Sequence, residues 1–149
     1  MRKIIKLNFL FLIGFLFCSI ATHGQTIEKQ EEINLENTKQ NLAVIWTSGD
    51  RDVALKMVFM YTNYSSKMKW WDKINLVVWG PSAKLLSEDK ELQDYVAKMQ
   101  KSGVTIFACK ACADSYGVST KLESLGIDVK YMGKPLTEYL QKDYKVITF

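Results

Sequence analysis

Histidine is almost missing from this sequence: there is one among 149 residues, His23. It lies in the opening stretch "MRKIIKLNFLFLIGFLFCSIATHGQ", where Arg2, Lys3 and Lys6 precede an apolar run from Leu7 to Ile20 and small residues lead to Gly24. That layout reads as a secretory signal peptide over residues 1–24. Its apolar run falls short of the roughly 20 residues of a membrane span, and no later segment approaches that length, so no stable membrane insertion is expected after cleavage. Phe17 before Cys18 is too bulky for a lipid-attachment site. The expected location is secreted or periplasmic.

Each scarcity then excludes something. Removing residues 1–24 takes away the sole imidazole, which rules out Ser-His-Asp and Cys-His catalysis and His-ligated metal centres within one chain. It also takes three of the twenty basic residues and none of the sixteen acidic ones, leaving seventeen against sixteen and a net charge of +1 instead of +4. Without a basic stripe, a nucleic-acid partner loses its support. Cysteine falls from three to two, Cys109 and Cys112, in an oxidising compartment. Internal repeats and low-complexity tracts are absent.

What remains divides into a polar N-terminal lead over 25–40, "QTIEKQEEINLENTKQ", and one α/β domain over 41–149. Within the domain, β-branched runs alternate with helical periodicity. Strands are predicted at 41–47, 74–80, 104–109, 127–133 and 144–149. After the first, Asp50 or Asp52 caps a helix whose one face carries Val53, Met57, Met60, Tyr61 and Tyr64. After the second, Leu85, Leu92, Tyr95, Val96 and Met99 share a stripe that ends at "KSG". Gly117 interrupts the helix following the third strand, and Pro135 suits the first turn of the last one. Five strands joined by helices imply a parallel sheet with helices on both faces. Trp70 and Trp71 stand apart in the connection before the second strand, as candidates for a subunit interface or for ordinary core packing.

The chemistry concentrates in "VTIFACKACADSYGV". Sites in parallel α/β sheets form outside the carboxyl ends of the strands, where "TSGDR", "GPSAK", "CKACAD" and "MGKPLT" gather. Cys109 leaves a strand just before a helix, beside Lys110, and Cys112 sits in or before the first turn. A helix N-terminus and a nearby cation both favour thiolate, the reactive form. Ser48 and Ser82 lack any such base. Asp114 would tune or relay protons, or simply cap the helix. Two thiols without histidine fall short of the four ligands a zinc site takes, so no metal and no cofactor is expected. A structural disulfide would close too small a loop to add much stability. Reversible thiol chemistry and a static disulfide both stay open.

Taken together, "LAVIWTSGD", "LVVWGPSAKLL", "GVTIFACKACADSYGV" and "VKYMGKPLTEYL" with a terminal apolar strand resemble the DsrE/DsrF-like (TusD/YchN-like) family over nearly all of 41–149. The resemblance implies a three-layer α/β/α sandwich with a five-stranded, mostly parallel sheet, often assembled into trimers or hexamers. It implies a sulfur-carrying cysteine after the third strand, matched here by Cys109, with Cys112 as its resolving thiol. Expected partners are a sulfur donor or acceptor protein, a small polysulfide or thiol, and further copies of the chain. The signal peptide and the paired thiols set this chain apart from cytoplasmic relay proteins. Two rival readings are a non-catalytic oligomeric binding module with a structural disulfide and a thioredoxin-like oxidoreductase, the latter calling for a terminal antiparallel hairpin.

Overall fold

A computed structural model describes residues 40–149; the signal peptide at 1–24 and residues 25–39 of the polar lead lie outside the described residues. The five strands are β1 (Asn41–Trp46), β2 (Lys73–Val78), β3 (Thr105–Cys109), β4 (Asp128–Lys130) and β5 (Tyr144–Thr148). Their spatial order is β4-β3-β2-β1-β5, and every neighbouring pair is parallel. The sheet is thus wholly parallel, and a thioredoxin-like antiparallel terminal hairpin is excluded. β4 is shorter than its apolar run suggested, with three residues at the sheet edge.

Between β1 and β2 run α1 (Arg51–Val53), a π-helical segment (Ala54–Phe59) and α2 (Met60–Lys67). α3 (Pro81–Glu88) and α4 (Lys90–Lys101) join β2 to β3, and α5 (Lys110–Ser115) and α6 (Ser119–Ser124) join β3 to β4. α7 (Gly133–Gln141) returns the chain to β5. Asp50 is the residue that caps α1, accepting from the Val53 amide at 3.0 Å. The stripe expected to run unbroken from Leu85 to Met99 is split, because Asp89 stops α3 and caps α4 through the Leu92 amide.

Right-handed crossovers explain the unequal layers. β1 to β4 step across the sheet in one direction, so their connecting helices fall on one face; the step from β4 back to β5 runs the other way and puts α7 on the opposite face. Alternation along the strands supplies both faces. Leu42, Val44, Trp46, Leu76 and Val78 pack under α1 to α6 against Phe59, Leu86, Leu92, Val96, Met99 and Leu122. Ala43, Ile45, Val77, Cys109 and Met132 form a smaller cluster on the other face, covered by Leu136 and Tyr139 of α7.

The first helical connection departs from its sequence reading. Residues buried against the sheet are Ala54, Val58 and Phe59, whereas Met57, Met60 and Tyr64 are about half exposed, at 50%, 54% and 53%. The cause is the π segment, whose i→i+5 hydrogen bonding breaks the 3.6-residue period and rotates the following side chains. Val53 and Tyr61 of the expected stripe still pack against the core, half-buried, whereas Met57, Met60 and Tyr64 form a surface feature.

Candidate functional site

β3 delivers Cys109 to the carboxyl end of the sheet, where it caps α5 in an extended conformation. Its side chain faces the α7 side and is only 5% exposed, packed with Ile45, Val77 and Met132. Cys112, in the first turn of α5, is half-buried beside it. Both are free thiols and belong to the same cluster. Trp79, Leu136 and Tyr139 complete the surroundings. Cys112 is the more accessible of the two.

Electrostatics here differs from the expectation of an activated thiolate. Burial pushes the Cys112 thiol above its ordinary value; the Gly80 amide pulls it down, and the hydrogen bond to Cys109 with the repulsion of that sulfur adds to the rise. Lys110 does not turn toward either sulfur. Its Nζ donates to Asp114 Oδ1 at 3.0 Å, and Ser119 Oγ donates to the same oxygen at 2.6 Å. These bonds, Ser119 first and Lys110 second, hold the Asp114 carboxyl below the usual range, and Asp114 in turn raises Lys110. The pair fastens α5 to the start of α6 at the surface. The thiols and the Lys110–Asp114 pair are thus on one short helix but in separate environments.

Gly80 was not legible as a site residue. It sits between β2 and α3 at φ +68° and ψ −134°, a region that side chains with a Cβ rarely adopt, and its amide is what pulls the Cys112 thiol down. A clamp fixes the loop: Ser82 Oγ donates to the Trp46 carbonyl at 2.6 Å and accepts from the Trp79 amide at 3.0 Å. Ser82 is fully buried and structural. The one sequence signal for Gly80 is the Gly-Pro pair directly after an apolar strand.

The strand-end loops meet as expected, in two groups. Gly49, Pro81, Lys84, Leu85, Glu88 and Tyr116 line an open groove of about 280 Å³. Met132, by contrast, closes over Cys109. No three His, Cys, Asp or Glu side chains converge among the described residues, and no described helix is long and apolar enough to cross a membrane.

Comparison with known proteins follows the same outline. A model of the DsrE/DsrF-like family matches residues 39–149. A conserved protein of unknown function from Bacteroides thetaiotaomicron is 39% identical, with a TM-score of 0.71 over 74% of this chain and 95% of that one. The ychN protein from E. coli is 15% identical, with a TM-score of 0.55 over 74% of this chain and 99% of that one, a likeness of fold alone. No curated protein matches.

Proposed function

The chain belongs to the DsrE/DsrF-like family, and from that premise we propose that it is an exported sulfur-handling or thiol-redox protein in which Cys109 carries sulfur and Cys112 resolves it. The supporting observation is the contact between two free thiols at the carboxyl end of β3. The Cys109 thiolate attacks the outer sulfur of a persulfide, R–S–SH. The S–S bond breaks, the donor leaves as R–S⁻, and Cys109 becomes Cys–S–SH. Two exits follow. An acceptor thiolate takes the outer sulfur and restores the Cys109 thiolate, or the Cys112 thiolate attacks Cys109 Sγ, expels HS⁻ and closes the internal disulfide. An external dithiol then supplies the two electrons that reopen it.

Burial of Cys109 favours small sulfane donors such as polysulfide over bulky protein disulfides. Gly80 helps the second exit, because its amide stabilises negative sulfur on Cys112. Secretion or a periplasmic location follows from the signal peptide, and the protein works as a homo-oligomer. Mass spectrometry after polysulfide exposure, with thiol counts before and after reductant, tests the proposal. The wild type gains sulfur on Cys109, Cys109→Ser gains none, and Cys112→Ser keeps the Cys109 persulfide longer. A fully oxidised pair that never gains sulfur would instead identify a static disulfide in a binding module.

A further inference from the structure

β5 is an edge strand, and its outer side is unpaired among the described residues. Phe149 donates to the Ile45 carbonyl at 3.0 Å and accepts from the Thr47 amide at 2.8 Å. In a parallel strand alternate residues direct both backbone groups to the same side. Residues 145, 147 and 149 therefore bond to β1, and Tyr144, Val146 and Thr148 turn theirs outward. Proline and bulges, the common guards of such an edge, are absent from β5, which has Lys145 as its one charge. Alongside runs an apolar groove of about 600 Å³, lined chiefly by Met57, Met60, Tyr64, Trp70, Ile147 and Phe149. Trp70 is 48% exposed and Ile147 37%. Apolar surface of this kind beside open backbone marks an interface.

We propose that this edge and groove bind a second copy of the chain, through antiparallel pairing of the two β5 strands about a two-fold axis at Val146. The register is set by the strand itself. Placing Val146 opposite its own copy sets Tyr144 opposite Thr148, so all three outward-facing residues of each copy enter hydrogen-bonded pairs. A register centred on Lys145 would lose one such pair and oppose like charges; one centred on Ile147 would also lose a pair. In the chosen register Lys145 lies across from Ile147 on the face that carries the groove. The two grooves then merge into one trough between the two π-helical segments, and the methionines, flexible and unbranched, fill it. An isologous contact of this kind closes at two copies, joining two five-stranded sheets into one of ten strands.

The inference rests on the self-association proposed above and on nothing about the thiols. Sedimentation of the purified protein tests it. The expected wild-type species has an even number of copies, and Val146→Pro, which removes an outward amide while leaving the β1 ladder intact, halves its mass. Ile147→Lys does the same through the groove; because its site is surface-exposed, it carries the test should the proline variant fail to fold. Unchanged mass in folded variants, or an odd-numbered wild-type assembly, overturns the β5 interface. A monomeric wild type overturns self-association as well. Sulfur uptake by Cys109, measured on the same samples, decides the thiol proposal separately.

Discussion

The two faces of the sheet are built from the same strands and differ in almost everything else. One is covered by α1 to α6 and holds the large buried side chains Trp46, Phe59, Leu76, Leu92 and Met99. The other has α7 alone, no residue of which is fully buried, and it carries the thiols. Part of α7's hold is polar: Asn75 Nδ2 donates to the hydroxyls of Tyr139 and Tyr144 at 3.1 Å each. Burial is thus concentrated on one face, and the thiols lie on the other. A group under one lightly held helix keeps a route to solvent that the thick face does not offer.

Truncating one leucine on each side tests that division most strongly. Leu92→Ala opens a cavity in the thick core and should cost about 3–5 kcal/mol, whereas Leu136→Ala, half-buried on α7, should cost about 1 kcal/mol. Thermal unfolding measures both. Labelling should reverse the ranking in native protein, with Leu136→Ala the variant that speeds alkylation of Cys109. Equal costs, or no gain in labelling, would break the comparison.

A smaller effect lies within the thin face, in the pH dependence of Cys112. Its thiolate should form above the ordinary range, because burial and the Cys109 sulfur outweigh the Gly80 amide. Cys109→Ala removes the hydrogen bond and the repulsion, so the alkylation midpoint of Cys112 should fall. Gly80→Ala meets nothing within 4 Å at its Cβ and acts through the backbone instead; losing the aimed amide, it should raise the midpoint. A midpoint that stays put in both variants would remove Gly80 and Cys109 as causes.

The smallest effect belongs to the exposed pair. Asp114 is held below its unfolded value, so its contribution is present above the ordinary carboxylate range and lost as pH falls through the depressed value. Asp114→Asn should flatten the acid limb of the stability curve and leave sulfur uptake unchanged. A drop in uptake would make Asp114 part of the thiol chemistry.

How much was legible depended on which physics each residue obeys. The strands were, because two-sided burial demands continuous apolar runs such as "LAVIW" and "LVVW". Cys109 was placed at its strand end for the same reason. The methionine stripe misled, since helical periodicity assumes 3.6 residues per turn and the π segment breaks it. Lys110 also misled: adjacency to Cys109 in sequence says nothing of direction, and an i,i+4 partner was available in Asp114.

By itself, then, the sequence determined local identity: a parallel α/β chain with two thiols at the end of its third strand, next to no histidine to assist them. Only the tertiary structure decided their environment. Which face Cys109 points to, that α7 and Met132 cover it, and that a glycine 32 residues earlier in the chain bears on Cys112 all follow from crossover handedness and strand register. Those are long-range properties, set by how distant segments pack and invisible to any window along the chain.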